Sequence, residues 1–355
     1  MSGIVAENIK NKSHSCMQLK ALKMTLAEDR ELIQALQIAP RASWRALGGA
    51  LHRSPAALAQ RWEEMSEQGL AWCTAVPFGS SGAGVTAFIA QLAEPGAQQA
   101  LLKRLTQIPE VVSIEVPARH WDSILTVLAP DIEDLMQHIQ PRIAALEGLA
   151  RQETILCTRT HFAGHEWRLN VLNDATVRAL RPYERSSEAE GPGMRQGDEQ
   201  LLPLLVRDGR ASVSDIAEEL NLHPSTVSRR LNRILSDPRV SLRCDVAPSL
   251  VGQPISCQWF CWLPPTLHDA AARALRGFPD LRYCASTTGA TNFTFVLWVQ
   301  SPQEIFEIER QVVERIEGLS LSESSVTFRF VKRMGWQLDE LGRRTGAPVF
   351  PAFPL

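Results

Sequence analysis

Hydrophobic positions follow two alternating patterns along the chain, and the whole series occurs twice. Over 25–76 and 198–246, apolar residues recur at the three- and four-residue spacing of amphipathic helices. Over 77–180 and 247–340, shorter apolar and β-branched runs alternate with two helical stretches. The pattern predicts a helical head followed by a mixed body in each half of the chain.

The two halves align as copies of one sequence. Asp29 and Asp198 begin similar segments, and the tripeptide "RAS" recurs at Arg41 and Arg210, in both cases 169 positions apart. Self-similarity at a fixed period indicates a tandem duplication. Residues 181–197, "RPYERSSEAEGPGMRQG", have the composition of a linker.

The ends of the chain carry a weaker pattern than the two repeats. Residues 1–24 form a loosely patterned N-terminal extension, in which Met24 is an alternative start, and residues 341–355 form a C-terminal tail.

Each head is predicted to contain three helices in helix-turn-helix order. In the second head, Ser212 and Asp215 have the spacing of a capping box at the start of the second helix. Pro224 then begins a third helix after the short turn "NLH", at a position where its missing N–H is tolerated. The third helix of such a motif fits the DNA major groove.

The third helix of the second head combines an apolar stripe with a basic face. Val227, Leu231 and Ile234 are predicted to face the core. The opposite face carries hydroxyl and guanidinium groups, which can bind phosphates and base edges. The candidate DNA-binding residues are therefore Ser225, Thr226, Arg229, Arg230 and Arg233. A merely solvated basic face is the alternative interpretation.

The first head keeps the helical frame but lacks most of these residues. Residues 54–67 contain one arginine and three glutamates, a net charge of −2, whereas 223–237 contain three arginines and one aspartate, a net charge of +2. Arg53 and Arg61 remain candidate DNA contacts there. We therefore predict that the first head is a degenerate reader and that the second dominates DNA binding.

Each body has the strand and helix order βαββαβ of a ferredoxin-like fold. Its own two helices can cover only one face of the sheet. We assign Trp259, Phe293, Phe295 and Trp298 to the other face, which the second body would cover. The sequence thus predicts an intramolecular pseudo-dimer. A palindromic DNA site would need two chains, so we also expect a homodimer or higher oligomer.

Head and body together resemble the Lrp/AsnC family, the leucine-responsive or feast/famine regulators, over about residues 25–338. The matching pieces are the acidic starts at Asp29 and Asp198, the "RAS" tripeptides, "HPSTVSRRL" and "TTGATNFTFVLWV". The resemblance implies an α+β protein of two tandem units, each with a winged or helix-turn-helix head and a ferredoxin-like body. It implies a sequence-specific, double-stranded-DNA-binding transcriptional regulator that responds to an amino acid or similar small molecule.

The resemblance also locates candidate effector residues. Family bodies carry a Gly-x-Tyr-Asp-like motif in a loop at the dimer interface where effectors bind. In this sequence Asn292 stands at the aspartate position of the second unit, and Arg119 replaces the glycine of the first. The candidate effector-binding residues are Thr288, Gly289, Thr291, Asn292, Arg119, His120 and Asp122.

An enzyme is the alternative. Siroheme decarboxylases resemble this family and also occur as paired units, which would make His120 a proton donor and Arg119 a carboxylate clamp. We find no phosphate-binding glycine loop or nucleophile motif and expect no cofactor. Cys257 and Cys261, four apart on a strand, would lie roughly 13 Å apart, too far to share a metal.

Composition sets limits on partners and on the cellular compartment. The net charge is −2 with 45% hydrophobic residues, so DNA contacts must come from a local basic patch. The seven scattered cysteines fit a reducing compartment better than a disulfide framework. With neither a long apolar run nor a secretory leader in the sequence, we expect a cytoplasmic protein that does not contact a membrane.

Overall fold

The structure is a computed structural model that describes residues 26–77, 84–118, 120–184, 193–252 and 254–351. The predicted extension 1–24, Arg119 and much of the predicted linker lie outside the described residues. None of the described helices is long and apolar enough to cross a membrane.

The first half contains a helical head and then the order βαββαβ. Its elements are α1 (26–38), α2 (Trp44–Leu51), α3 (Pro55–Glu67), β1 (Ala71–Pro77), β2 (Val85–Ala93), α4 (Gln98–Thr106), β3 (Val111–Pro117), β4 (Ser123–Ala129), α5 (Ile132–Asp134, then a π turn Leu135–Ile139, then Gln140–Ala144) and β5 (Leu149–Phe162). Helix α6 (Asp174–Leu180) and a 3₁₀ turn, Arg181–Tyr183, follow.

The second half repeats this order. A 3₁₀ turn, Asp198–Leu201, leads into α7 (Leu202–Arg207), α8 (Val213–Glu219), α9 (Pro224–Ser236), β6 (Val240–Val246), β7 (Ile255–Trp262), α10 (His268–Leu275), β8 (Leu281–Thr287), β9 (Phe293–Val299), α11 (Pro302–Arg315) and β10 (Ser320–Arg333). The short strands β11 (Trp336–Leu338) and β12 (Arg344–Thr345) complete the described chain.

Two long strands join the bodies into one closed sheet. Strand β5 pairs with β2 of its own body up to Leu156 and with β8 of the other body from Cys157 onwards. Strand β10 likewise pairs with β7 of its own body and then, from Thr327, with β3 of the other. The resulting ring runs β10-β3-β4-β2-β5-β8-β9-β7 and returns to β10. Closure of this kind removes the unpaired strand edges of both bodies.

The two heads meet through a separate two-stranded ribbon. Strand β1 pairs antiparallel with β6, and Cys73 lies opposite Cys244. The Thr74 hydroxyl on β1 donates to the carbonyl of Val206, at 2.7 Å, at the end of α7. The ribbon therefore also packs the first half against the second head.

The C-terminal tail packs on the first head. Arg344 on β12 donates to the carbonyl oxygen of Ser66 at 3.0 Å and to its hydroxyl at 2.7 Å. The Arg344 guanidinium also lies 4.6 Å from the centre of the Trp336 ring. The predicted tail thus adds a strand to the sheet edge and ties it to the end of α3.

Four aromatic residues were predicted to lie on the face of the sheet that its own helices do not cover, and this prediction was wrong for three of them. Trp259, Phe293 and Phe295 lie in the core beneath the helices of their own body, and the Trp259 and Phe295 rings stack at 5.1 Å. The Trp259 indole also donates to Glu309 on α11, at 3.0 Å. Only Trp298 faces the interior of the closed sheet. Regular alternation along β9 places Trp298 on the opposite face from Phe293 and Phe295.

One buried lysine lies at the junction of the two halves. Lys332 on β10 is fully buried, and its ammonium donates to the carbonyl of Ile108, just after α4, at 2.9 Å. Burial lowers the pKa of Lys332 from 10.5 to about 7. The folded state therefore favours the neutral amine near neutral pH, whereas the unfolded chain keeps the proton.

We predict that Lys332→Met changes the pH dependence of stability. Between about pH 7 and 10 the unfolded wild type binds more protons than the folded protein, so this group makes the free energy of unfolding rise with pH. The slope is at most about 1.4 kcal/mol per pH unit. Urea unfolding at several pH values in this range should show the slope reduced in Lys332→Met.

The control is Lys103→Met, which removes an exposed lysine from α4. Its free energy of unfolding should follow the wild type at each pH. Parallel curves for wild type and Lys332→Met would contradict the prediction.

Candidate DNA-binding and effector sites

Helix α9 begins where the sequence predicts and presents its apolar stripe to the core of the second head. His223 caps the helix, and its Nδ1 accepts from the backbone N–H of Ser225 at 3.3 Å. Val227, Leu231 and Ile234 are all buried. The preceding helix α8 has the predicted capping box between Ser212 and Asp215. These caps and the stripe fix the orientation of α9 and therefore of its outer face.

The outer face of α9 presents fewer free charges than the sequence indicates. Ser225 and Arg229 are exposed, and Thr226 is half-buried. In the part of the chain that the structure describes, no acidic side chain lies within ion-pairing distance of Arg229. Arg229 is therefore the guanidinium best placed to contact a partner outside the chain.

Arg233 and Arg230 are directed instead towards the start of the second head. Arg233 forms a two-pronged ion pair with the buried Asp198, with N–O distances of 2.7 and 2.6 Å. Arg230 donates to the carbonyl of Gly197 at 2.8 Å. The prediction that both lie on the open basic face is thus corrected, because the buried carboxylate attracts them. Burial alone would raise the pKa of Asp198, but hydrogen bonds from Arg233 and the Arg195 N–H hold it below its usual value.

The first head uses its arginines in the same way. Arg61 binds Asp29 through two contacts of 2.6 Å, and the hydrogen bond to Asp29 raises the pKa of Arg61. Arg53 lies 2.9 Å from Glu28 and 3.1 Å from Glu31. Both candidate DNA contacts of this head are therefore neutralised within it, so its outer surface offers less free positive charge than predicted.

The arginines of the two "RAS" tripeptides each bind backbone carbonyls of the opposite head. Arg41 donates to the carbonyls of Gly209 at 2.6 Å and Ala211 at 2.8 Å. Reciprocally, Arg210 donates to the carbonyls of Pro40 and, at 3.1 Å, Ala42. The sequence analysis did not assign these residues a role. The signal was present, because the same tripeptide occupies the same position in both heads.

The two candidate effector loops lie at equivalent junctions between the bodies. In the loop between β8 and β9, the backbone N–H of Thr288 donates to the Leu156 carbonyl at 2.9 Å. In the loop between β3 and β4, Ala118 makes the matching contact to Val326 at 2.7 Å. Each loop thus touches the long strand of the other body, which agrees with the inter-unit placement that the resemblance implies.

Within these loops, two candidate residues hold the backbone in place. The Asn292 amide accepts from the N–H of Leu263 at 3.1 Å and donates to its carbonyl at 2.9 Å. Asp122 accepts from the N–H of Ala93 at 2.9 Å and from Gln98 at 3.0 Å. The amide and the carboxylate therefore perform equivalent supporting roles in the two units.

The other loop residues are open to solvent or partly so. Gly289 is exposed with φ +110°, a conformation that favours glycine, and nothing crowds its Cα. Thr291 is half-buried. His120 is exposed, and its ring centre lies 5.4 Å from that of Trp121. The loop of the second unit has the clearer space for a ligand.

Two of the histidines that the structure describes lie in a packing network, and most of the described cysteines are buried. Among the described residues, no group of three or more His, Cys, Asp or Glu side chains could hold a metal ion. His161 Nε2 and His268 Nδ1 each lie 2.7 Å from the Ser286 hydroxyl. Burial lowers the pKa of His161, and Ser286 is itself buried. This network packs α10 against the sheet and is not open to a substrate.

Comparisons with known proteins agree with these features. Residues 196–234 match the family model of the AsnC-type helix-turn-helix domain, and residues 86–166 match that of the Lrp/AsnC ligand binding domain. Both matched domains are those of Lrp/AsnC helix-turn-helix transcriptional regulators, and each match covers one segment of the chain. The head is matched in the second half and the body in the first, so the two halves retain different parts of the family pattern.

Single-unit relatives match about half of the chain. An uncharacterized HTH-type transcriptional regulator of Pyrococcus horikoshii is 26% identical over 156 residues, which cover 44% of this chain and 95% of the relative. A similar regulator of Pyrococcus abyssi is also 26% identical, over 140 residues that cover 39% of this chain and 88% of the relative.

A likeness in fold extends over most of the chain. The crystal structure of the siroheme decarboxylase NirDL, in co-complex with an iron-uroporphyrin III analogue, superposes with a TM-score of 0.54. The superposition covers 87% of this chain and 93% of that one, at 12% sequence identity. The likeness concerns the fold alone.

We predict that Asp198→Asn destabilises the second head. The variant leaves Arg233 without its buried partner, a loss of about 2–4 kcal/mol in the free energy of unfolding. Chemical denaturation followed by circular dichroism measures it. Glu219→Gln, which breaks the exposed Arg207–Glu219 pair, is the control and should change stability by less than about 1 kcal/mol. Equal effects of the two changes would show that the Asp198 pair is not an anchor.

Proposed function

We propose that the protein is a sequence-specific DNA-binding transcriptional regulator in which two Lrp/AsnC-like units are fused into one chain. The observation that carries this proposal is the outer face of α9, where Ser225 and Arg229 remain exposed on a helix fixed by its caps. A helix of this kind fits the major groove, and arginine can bind guanine edges with two hydrogen bonds.

The two heads of one chain contribute unequally to this reading. At the position of Arg229 the first head carries Gln60, whose amide donates to Glu64 at 3.2 Å. Its third helix has a net charge of −2 against +2 in the second head, which disfavours phosphate contacts. One chain therefore presents one competent head. We propose that two chains bind a palindromic operator, each through its second head.

The fused arrangement is supported by the contacts between the halves. The β1–β6 ribbon, the strand pairs β5–β8 and β3–β10, and the exchanged arginines Arg41 and Arg210 relate the halves in an approximately reciprocal way. We propose that the two units act as an intramolecular pseudo-dimer, in which both heads are held at a fixed separation.

Arg229→Ala should weaken binding to a selected DNA site by about 1–3 kcal/mol, because one guanidinium contact to a base edge is lost. Gln60→Ala is the matched control in the first head and should have little effect. Affinities are measured by gel-shift titration on fragments selected from genomic DNA, at one fixed salt concentration. Equal losses for the two variants would contradict the asymmetry between the heads.

Measurements of the free energy of unfolding distinguish the residues proposed to contact DNA from the arginines proposed to hold the third helices. Thr226 lies one turn before Arg229 on α9 and completes the proposed contact surface with Ser225, whereas Arg230 donates to the Gly197 carbonyl and supports the start of the head. Arg233, Arg53 and Arg61 lie in ion pairs inside their heads, so we propose that they support DNA binding by holding the third helices. We expect their loss to lower the free energy of unfolding together with DNA affinity.

We propose that an amino acid or similar small effector binds at the loop between β8 and β9. Thr288, Gly289 and Thr291 offer backbone groups and short polar side chains, and Asn292 holds the loop. The matching loop of the first unit, with Arg119, His120 and Asp122, forms the second junction. Its Trp121 ring has the Arg151 guanidinium 5.5 Å above it.

Gly289→Arg should block effector binding, because a long cationic side chain would enter the loop and φ +110° disfavours any side chain there. The measurement is calorimetric titration with a panel of amino acids, followed by gel shift with the one that binds. Arg273→Ala, on α10, is the control and should leave binding unchanged. An effector response that survives Gly289→Arg would refute this placement.

The second candidate function is a siroheme decarboxylase-like enzyme, which the whole-chain likeness in fold to NirDL favours. In that reading His120 would donate a proton, but its ring is exposed at the surface. Incubation of the protein with siroheme, with decarboxylated products followed by liquid chromatography, tests this candidate. If the wild type forms decarboxylated products and His120→Phe does not, the result favours the enzyme over the regulator.

A further inference from the structure

The closed sheet encloses a cavity of about 660 Å³ between the two bodies. Its wall combines apolar and aromatic side chains from both halves, among them Phe88, Tyr283, Val296, Trp298 and Phe330. Cavities of 300–1,000 Å³ with mostly apolar walls and a few placed polar groups are typical of small-molecule sites. The candidate DNA and effector residues described above do not line it.

Three arginines line this cavity: Arg282 and Arg333 are buried and Arg243 is largely buried. Arg243 on β6 pairs with Asp245 at 2.5 Å. Arg282 on β8 lies between the Trp167 and Trp298 rings, 3.9 Å from the centre of each. Arg333 at the end of β10 stacks on Phe330 at 4.1 Å. The aromatic faces hold the guanidinium planes in fixed orientations.

The guanidinium groups of Arg282 and Arg333 are incompletely satisfied. Both residues are more than nine-tenths buried, and one terminal nitrogen of each has no hydrogen-bond partner within the described residues. Burial lowers the pKa of both groups, although arginine remains protonated in proteins. An unpaired buried donor on a cation is costly, so these two atoms point to a missing acceptor.

Two carboxyl groups near the cavity compensate the positive charge of these arginines only in part. Asp245 binds Arg243 through Oδ1, and its buried Oδ2 has no hydrogen-bond partner within the described residues. Glu115 accepts from the Thr327 hydroxyl at 2.8 Å, and burial raises the pKa of this carboxyl, which favours its neutral form. The cavity wall therefore carries an excess of positive charge beside its aromatic surface.

We propose that this cavity binds a small organic anion. Its carboxylate or phosphate group would accept from the guanidinium groups of Arg282 and Arg333, and its apolar or aromatic body would pack on Phe88 and Tyr283. Exposed Gly84, Thr158 and Thr160 mark the end at which the cavity meets solvent. This site is separate from the loop between β8 and β9, and the proposal stands whether or not the protein reads DNA.

Calorimetric titration of the full chain with three probes tests the proposal. The probes are 2-naphthoate, 2-naphthyl phosphate and the neutral 2-naphthamide, which share one ring system and differ in the polar group. We expect at least one anion to bind at least tenfold more tightly than the amide. The ratio between the two anions identifies whether a carboxylate or a phosphate fits the arginines.

Two variants one residue apart on β10 locate the site. Arg333→Met should weaken binding of the preferred anion by roughly tenfold to a hundredfold, since one charge-assisted contact is lost. Lys332→Met also removes a buried cation, but Lys332 contacts Ile108 and does not line the cavity, so its affinity should equal that of the wild type. Circular dichroism establishes that each variant is folded.

Three results would overturn the proposal: no binding of either anion, binding of the amide as tight as that of the anions, or equal losses in the two variants. The comparison of the amide with the anions uses the wild type alone. It therefore decides the matter even where Arg333→Met does not fold.

Discussion

Strand pairing across the two halves is the constraint on which the rest of the structure depends. Strands β5 and β10 are each long enough to pair first within their own body and then with the other, so the ring closes only when both bodies are present. Each body alone would expose sheet edges and leave its inner face uncovered. The cavity, the two loop junctions and the position of the head ribbon all follow from this closure.

The heads are fixed to that frame by apolar packing and by polar contacts, since the core of the first head continues into Trp167, Val246 and Trp298. Arg41 and Arg210 bind backbone carbonyls of the opposite head, and the β1–β6 ribbon pairs the segments that lead into the bodies. Such contacts are directional, so they set the relative orientation of the heads as well as their distance. In the proposed arrangement, in which two chains bind one operator, this fixed geometry would hold the heads of the two chains in register on the DNA.

Divergence between the halves has removed charge from one head while keeping the contacts that hold it. The acidic residues Asp29 and Asp198 both anchor an arginine of the third helix, although the arginine comes from different helical positions, Arg61 and Arg233. The supporting residues Asp122 and Asn292 similarly differ in charge and perform the same backbone contacts. The structural roles are thus retained in both units, whereas the exposed Arg229 differs from its counterpart Gln60.

The sequence by itself determined the repeat, the three-helix heads, the order βαββαβ of each body, the capping box of α8, the start of α9 at Pro224 and the buried stripe of Val227, Leu231 and Ile234. These features are local, since spacing and capping act over a few residues. Only the tertiary structure decided which arginines of α9 are paired within the chain, because Asp198 lies 35 positions before Arg233 and binds it across the head. It also decided which face of the sheet the helices cover, because alternation separates Trp298 from Phe293 and Phe295 but does not say which of the two faces is covered. The arginine-lined cavity was invisible in the sequence because Arg243, Arg282 and Arg333 converge only when two distant halves close one sheet.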